Sequence, residues 1–229
     1  MNISVRLKTI GDMVDKCNTV ADIGTDHAYL PIYLIKKSIC EKAIASDINK
    51  GPVERAVENV KREGLESKIF CRLGPGFNTI KPSEVNCAII AGMGGNLIRD
   101  IIEEKMDVFK SLNYAILQPV QNPEVLRKYI YEAGYEVIDE ELCIDDSKYY
   151  EIIKVRYHKN PRELNNIYYE IGEKLVEKKH PLLKKYIEYK LNKYNNILKY
   201  ISEDTEMAEK RKSEITDKIK KMEELLICL

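Results

Sequence analysis

The sequence predicts an α/β fold: an open, largely parallel sheet covered by helices, followed by an all-helical appendage. Three observations carry that prediction. Up to about Tyr157, short apolar runs alternate with amphipathic stretches in strand–helix–strand fashion. One run, Val85–Ala91, is almost wholly apolar, as a strand covered on both faces must be. After Pro161 strand signals stop, and apolar residues recur only at steps of three and four.

The elements follow in order. Arg6–Val14 reads as a short amphipathic helix with Leu7, Ile10 and Val14 on one face and Ser4 as N-cap. The first strand, Thr19–Gly24, turns on Gly24 and enters a helix through Thr25, Asp26, His27, Ala28 and Tyr29. A second strand, Ala43–Asp47, ends in an acid. Pro52 opens a helix whose Val53, Ala56, Val57 and Val60 form one stripe, capped by Gly64. The third strand, Ile69–Leu73, leads to the turn Gly74-Pro75-Gly76. The fourth, Val85–Ala91, runs into Gly92-Met93-Gly94-Gly95 and a helix carrying Ile98, Ile101 and Ile102. The fifth, Tyr114–Leu117, meets Gln118-Pro119 before a helix with Leu126, Tyr129, Ile130 and Ala133 that stops at Gly134. Tyr135–Leu142 and Tyr149–Tyr157, separated by Ile144–Lys148, read as an antiparallel hairpin. Five crossover strands closed by such a pair make the seven-stranded layout expected of a class I, Rossmann-like methyltransferase.

Composition narrows the class. The 229 residues suffice for a full core, as one large domain or a domain with an appendage. Lys+Arg and Asp+Glu balance at 37 each, so no global field draws the chain to nucleic acid or membrane, and any such binding needs a local patch. Six scattered cysteines (Cys17, Cys40, Cys71, Cys87, Cys143, Cys228), without a C-x-x-C pair or nearby histidine cluster, read as reduced thiols with no metal. No signal-peptide core and no membrane-length apolar run is present, which points to a soluble, cytoplasmic protein.

The most informative stretch is Thr19–Pro31, TVADIGTDHAYLP. An open α/β sheet cradles a nucleoside-type cofactor where a strand ends in a glycine turn that lets backbone come close. The phosphate fingerprint G-x-G-x-x-G is absent, and Asp22 and Asp26 flank the turn. Two carboxylates repel a pyrophosphate but suit an ammonium, a sulfonium and ribose hydroxyls. That description fits S-adenosylmethionine better than NAD. The other strand ends agree: Asp47 for ribose hydroxyls, Gly74 and Gly76 at the third, Ala91–Gly95 at the fourth.

Many amino-methyltransferases place an Asn/Asp-Pro-Pro-aromatic turn at that fourth end. Here it is Ala91-Gly92-Met93-Gly94-Gly95, whose backbone can approach a flat base and whose carbonyls at Ala91 or Gly92 remain as acceptors. An acceptor such as adenine N1 needs no base, because its in-plane lone pair is unprotonated at neutral pH. Catalysis then reduces to alignment, desolvation and electrostatic complementarity. His27 is a candidate contact to cofactor or base, Tyr29 a surface for stacking a flipped base, and Gln118 a hydrogen-bonding partner for a base edge; equally, they read as a helix-start histidine, a tyrosine covering the sheet and a capped polar group of the loop. Arg6 and Lys8 are candidates for phosphates near the site, or belong simply to a solvated helix face.

In the C-terminal part, Ile187, Leu191, Tyr194, Leu198 and Ile201 form one seam, and Ile215, Ile219, Met222, Leu226 and Leu229 another. The spacing predicts an antiparallel coiled-coil hairpin turning at Ser202–Thr205, with Asp204 or Thr205 as N-cap. Arg162–Lys199 holds nine Lys/Arg against five Glu, with Lys178, Lys179, Lys184 and Lys185 around His180 and Tyr168, Tyr169, Tyr186, Tyr189 and Tyr194 interleaved. Beside a nucleoside-cofactor fold, this reads as a patch for nucleic-acid phosphates with aromatics to stack on. The boundary is placed between residues 1–159, the cofactor-binding domain, and 160–229, the helical domain.

Asp22-Ile-Gly-Thr-Asp-His-Ala-Tyr-Leu-Pro31, Gly51-Pro52, Ile90-Ala-Gly-Met-Gly-Gly95, Leu117-Gln-Pro119 and Tyr150-Glu-Ile152 together resemble the bacterial TrmK family over essentially the whole chain. These are tRNA adenine-N1-methyltransferases that modify adenosine 22 in the D-arm. The resemblance implies S-adenosylmethionine as methyl donor, S-adenosylhomocysteine as product, and tRNA as partner, with the C-terminal helices assisting tRNA binding. By position, Asp22, Gly24, Thr25, Asp26 and His27 match the first cofactor motif, Asp47 the ribose-binding acid, and Ala91, Gly92 and Met93 the catalytic turn. Two positions depart from the family. Pro75 stands where relatives often carry Asp or Asn for the cofactor's adenine amine, leaving that contact to the Gly76 backbone or elsewhere. Val120 stands where many members have Asn, so a base contact there passes to Gln118, Gln121 or Asn122, or is missing.

The expected activity is methylation of adenine N1 in tRNA by direct displacement, by a monomer or by a dimer formed through the coiled coil. The alternatives are the same fold acting on ribosomal RNA or a small molecule, and a binding protein that holds cofactor or tRNA without catalysis.

Overall fold

Strands β1 (Cys17–Ile23), β2 (Cys40–Asp47), β3 (Ile69–Leu73), β4 (Cys87–Gly94), β5 (Tyr114–Gln121), β6 (Tyr135–Asp145) and β7 (Lys148–Tyr157) form one sheet, in the spatial order β3-β2-β1-β4-β5-β7-β6. The computed structural model describes residues 3–201 and 205–229. The first five strands pair in parallel, and β7 runs antiparallel to both β5 and β6. Winding reverses between β1 and β4, and a ligand crevice is expected beyond the carboxyl ends of those two strands.

Helix α1 (Val5–Asp12) is capped by Ser4, whose Oγ accepts from the Leu7 N–H at 3.3 Å. It stops two residues before the expected end. The helix expected through Thr25–Tyr29 begins only at Tyr29, as α2 (Tyr29–Lys36). The reason is Ala28, held left-handed at φ +54, a conformation that no right-handed helix passes through. Thr25 Oγ1 accepts from the Ala28 N–H at 3.1 Å and closes the loop ahead of it.

In α3 (Lys50–Arg62), Pro52 lies inside the first turn, where its missing N–H has no intrahelical partner to lose. The buried face is Ala56, Asn59 and Val60; Val57, expected in the stripe, is 48% exposed. Gly64 ends the helix at φ +66, and the Leu65 N–H reaches back to the Val60 carbonyl.

The glycines after Ala91 do not leave the sheet as expected. β4 continues to Gly94 through register shifts between Ala91, Met93 and Gly94, because β5 also continues past Pro119 and offers it a partner. The expected turn is therefore a β-bulge, with Gly92 at φ +80. Helices α4 (Gly95–Glu104) and α5 (Met106–Ser111) follow, the second not foreseen, then α6 (Pro123–Glu132) after β5. The hairpin connection is shorter than expected: pairing runs to Asp145↔Lys148, and Asp146 and Ser147, both at positive φ, make a two-residue turn.

The chain divides into two compact units between Glu163 and Leu164. The second is helical throughout: α7 (Asn166–Ile171), α8 (Glu173–Glu177), α9 (Leu183–Lys199) and α10 (Glu206–Ile227). Arg162–Lys199 thus holds three helices, separated at Gly172 (φ +97) and at His180-Pro181, and the first predicted seam starts within the last of them. From the two predicted seams Ile187, Ile215, Ile219 and Met222 are buried, while Leu191, Tyr194, Leu198 and Leu226 are half-buried. Buried Glu170 of α7 gathers Lys190 and Tyr194 of α9 and Lys218 of α10. Thr205 caps α10, accepting from the Ala208 N–H at 3.1 Å. Ser202–Asp204 of the predicted turn lie outside the described residues. Among the described residues no helix is long and apolar enough to cross a membrane.

Candidate active site

β1 delivers Asp22 to the carboxyl edge of the sheet, and Gly24 turns the chain there at φ +82. The Gly24 and Thr25 N–H groups both donate to the Ser46 carbonyl, at 2.8 and 2.9 Å, and tie the turn to β2. A Cβ on Gly24 would lie 2.0 Å from Met93 Cε, so this position needs glycine both for its dihedral and for room. Asp22 is only 8% exposed. Burial pushes its carboxyl up to about 6; a hydrogen bond with Thr25 opposes that shift and the Asp47 charge adds to it.

The bulge of β4 forms the facing wall. Gln118 is fully buried, and its Oε1 accepts from the Gly92 N–H at 3.1 Å and from Arg6 Nη1 at 2.7 Å. Its Nε2 donates to the Pro119 carbonyl at 2.9 Å, so both ends of the amide are engaged. The Arg6 guanidinium also lies 5.3 Å from the centre of the Tyr150 ring. Between the walls opens a cleft of about 500 Å³, within the range of small-ligand sites. It is lined by Asp22, Gly24, Thr25, Asp26, His27, Tyr29 and Leu30, by Ile3, Ser4, Arg6 and Leu7 of the N-terminal segment, and by Ala91 and Gly92.

The loop before α2 is held from α3. Asn59 Nδ2 donates to the His27 carbonyl at 3.0 Å, and Arg55 Nη2 donates to Asp26 Oδ1 at 2.5 Å. His27 Nε2 lies 3.3 Å from Asp26 Oδ2. The His27 and Tyr29 rings stack, centroids 4.9 Å apart at 8°, and Tyr29 is 40% exposed.

The cleft thus gathers Asp22, Gly24, Thr25, Asp26, His27, Tyr29, Ala91, Gly92 and Arg6. Met93 packs on Gly24, and Gln118 is buried with its amide committed to Arg6, Gly92 and Pro119. Asp47, Gly74, Gly76 and Lys8 do not line it. Asp47 ends β2, with Oδ1 accepting from the Asn49 N–H at 2.7 Å, and the Gly74 N–H donates to the Asp47 carbonyl at 2.9 Å. Gly76, at φ +46, packs on Ile101. In the second unit Lys178, Lys179, Lys184 and Lys185 are exposed, whereas His180 is buried and its Nδ1 accepts from the Leu182 N–H at 3.1 Å. Tyr169 and Tyr186, expected among the stacking aromatics, are buried; Tyr189 is exposed. Sequence reasoning missed Arg55, Asn59 and the lining role of Ile3, Ser4, Leu7 and Leu30. A polar residue on the Ala56–Val60 stripe was the available signal for Asn59.

The strand order, the cleft at its switch point and the glycine turn beside a buried acid define a Rossmann-like fold of the class I methyltransferase type. The family model for TrmK, tRNA (adenine(22)-N(1))-methyltransferase, matches residues 20–224, and the chain belongs to that family. It is 32% identical over 232 residues to the tRNA (adenine(22)-N(1))-methyltransferase of Bacillus subtilis (strain 168), covering 99% of this chain and 98% of that protein. A crystal structure of the B. subtilis enzyme superposes with a TM-score of 0.86 at 31% identity, covering 98% of this chain and 99% of that one. The Streptococcus pneumoniae Sp1610 structure in complex with S-adenosyl-L-methionine gives 0.87 at 30% identity, covering 98% and 100%. That of M. capricolum TrmK with S-adenosyl-homocysteine gives 0.83 at 28%, covering 98% and 97%.

Proposed function

We propose that this protein transfers a methyl group from S-adenosylmethionine to N1 of adenine 22 of tRNA. The observation that carries the reading is the cleft at the carboxyl ends of β1 and β4, in a chain that belongs to the TrmK family. The residues present fit a nucleoside with a positive centre: a glycine turn without a Cβ, a bulge presenting backbone, and a buried carboxyl. The bound cofactor supplies an electrophilic methyl group on its sulfonium.

Asp22, ionised above about pH 6, places negative charge in a poorly solvated wall, where it favours a cation more than it would in water. Gly24 and Gly92 let the backbone approach closely. Asp47, anchored by the Asn49 N–H, is assigned to the ribose hydroxyls. Gly74, Gly76 and Met93 complete the cofactor's surroundings in this reading, and Asp26 serves through the loop it shares with Arg55 and His27. The stacked His27 and Tyr29 rings offer a flat surface for the target base once it is extruded from the tRNA. Gln118 acts by holding Arg6 and the Gly92 N–H in place rather than by meeting the base. Adenine N1 attacks with its own lone pair, so no residue removes a proton from it, and the protein contributes alignment and field. Arg6, Lys8 and the exposed lysines 178, 179, 184 and 185 contact tRNA phosphates. The protein works as a cytoplasmic monomer.

The test is incubation with methyl-labelled S-adenosylmethionine and unmodified tRNA, then nuclease digestion and mass spectrometry of the nucleosides. Labelled 1-methyladenosine is expected from tRNA with A22 and none from tRNA with G22. Label in another nucleoside, or equal label in both tRNAs, contradicts the assignment.

A further inference from the structure

The opposite edge of the sheet carries a second cluster of reactive groups. β1, β2 and β4 each begin with a cysteine, and β1 lies between the other two strands. Cys17 Sγ lies 3.2 Å from Cys40 Sγ and 3.8 Å from Cys87 Sγ. Cys17 is half-buried, while Cys40 and Cys87 are buried. We propose that Cys17 and Cys40 are an oxidation site, which hydrogen peroxide converts to an intramolecular disulfide stapling the start of β1 to the start of β2.

The backbone already suits the bond. Cys17 and Cys40 are direct partners in the parallel ladder. Adjacent strands lie about 4.8 Å apart, inside the Cα separation of roughly 4.4–6.8 Å that disulfides span. At that backbone separation the sulfurs, now 3.2 Å apart, can close to the bonded distance of about 2 Å. Cys17 is the thiol that oxidant reaches, and thiol hydrogen bonds from Cys40 and Cys87 favour its thiolate; those two buried thiols hold their protons correspondingly harder. Around them stand Asp15, whose charge opposes the Cys17 thiolate, and Tyr114, whose hydroxyl accepts from the Asp15 N–H at 2.8 Å. Lys154 Nζ is 2.7 Å from Asp15 Oδ2 and partly offsets that charge. Among the described residues no three His, Cys, Asp or Glu side chains are grouped to hold a metal ion, so the convergence is read as thiol chemistry.

The steps balance. The Cys17 thiolate attacks the peroxide O–O bond, giving a sulfenic acid and, after protonation of the leaving oxygen, one water. The Cys40 sulfur then attacks Cys17 Sγ and loses its proton, and the S–OH bond breaks to release a second water. Two thiols are oxidised by two electrons and one peroxide is reduced.

The test uses the full chain with Cys228→Ser, since exposed Cys228 otherwise reacts between molecules. The protein is treated with hydrogen peroxide near neutral pH, unfolded in N-ethylmaleimide, and its peptides are mapped without reduction. The expected product joins the Cys17 and Cys40 peptides and disappears after dithiothreitol. Cys40→Ser is expected to abolish the link and leave Cys17 as a sulfenic acid, because Cys87 pairs with Val20 rather than Cys17 in the ladder; Cys17→Ser abolishes both the link and the sulfenic acid. Melting of the parent before and after peroxide gives a second reading that needs no further variant: the oxidised form should melt higher, and dithiothreitol should erase the difference. Full alkylation of Cys40 and Cys87 after peroxide, with Cys17 alkylated or overoxidised, overturns the proposal.

Discussion

Arg127 and Asp22 are both buried charges in the first unit, and they are treated in opposite ways. Arg127 of α6 sits between two acids of the hairpin, with Nε 2.6 Å from Glu140 Oε1 and Nη1 2.6 Å from Glu151 Oε2. Asp22 at the end of β1 has a hydroxyl, Thr25, and a like charge, Asp47, acting on it. Its carboxyl is pushed up to about 6, the signature of a charge left without compensation by its own protein. A paired buried ion fixes the β6–β7 hairpin against α6. An uncompensated one, beside a glycine turn in a cleft, is held ready for a cationic ligand.

Variants break or sharpen that contrast. The largest effect is expected from Arg127→Met, which leaves two buried acids facing an apolar side chain. Loss of one partner from such a network costs about 3–5 kcal/mol, read as a lower melting temperature, while methyl transfer per folded molecule at low temperature is retained. Asp22→Asn should do the reverse. Affinity for S-adenosylmethionine should fall about 100-fold, roughly 3 kcal/mol, with melting near neutral pH unchanged or higher, because a poorly solvated charge has been removed.

The pH dependence carries the same sign. The folded state binds the Asp22 proton up to about 6 and the unfolded chain only to its ordinary value of 3.8, so between these values the folded protein holds more protons. This group's contribution therefore makes stability fall as pH rises through that window, and Asp22→Asn should flatten that component of a melting-versus-pH series. Gly24→Ala comes next. A left-handed alanine costs roughly 1–2 kcal/mol, and its Cβ must displace Met93 Cε; a drop of about tenfold in kcat/KM is expected, partly restored by Met93→Ala. The smallest effect is Asn59→Ala, which removes one hydrogen bond to the His27 carbonyl worth about 1 kcal/mol. It should raise KM for tRNA about fivefold while cofactor affinity holds.

The contrast also marks what could be read from the sequence. Asp22 and Gly24 were legible because a strand, an acid and a glycine follow one another in the chain. Ser4 as a cap, the Gly64 terminus and the antiparallel hairpin were legible for the same local reason. Arg127 was not, since its two partners lie 13 and 24 residues away on two strands, and no local pattern marks a buried arginine. The Gly92–Gly94 bulge was misread because glycines that leave a sheet and glycines that bend within it look alike until the partner strand is known. Gln118 was read either as a base-edge partner or as a capped polar group of the loop, and its burial in β5 with the amide bonded to Arg6, Gly92 and Pro119 favours the second. In the second unit the apolar spacing was visible, and Ile187–Leu198 and Ile215–Leu226 each fall on one unbroken helix, whereas the short α7 and α8 lie upstream of both runs and had no such signal.

The most direct test of the distinction is titration calorimetry of S-adenosylmethionine at a series of pH values on the parent protein and on Asp22→Asn. The account predicts parent affinity that weakens as pH falls through about 6, and a variant that binds weakly with little pH dependence across that range. A variant that binds as tightly as the parent, with the same pH profile, would contradict it.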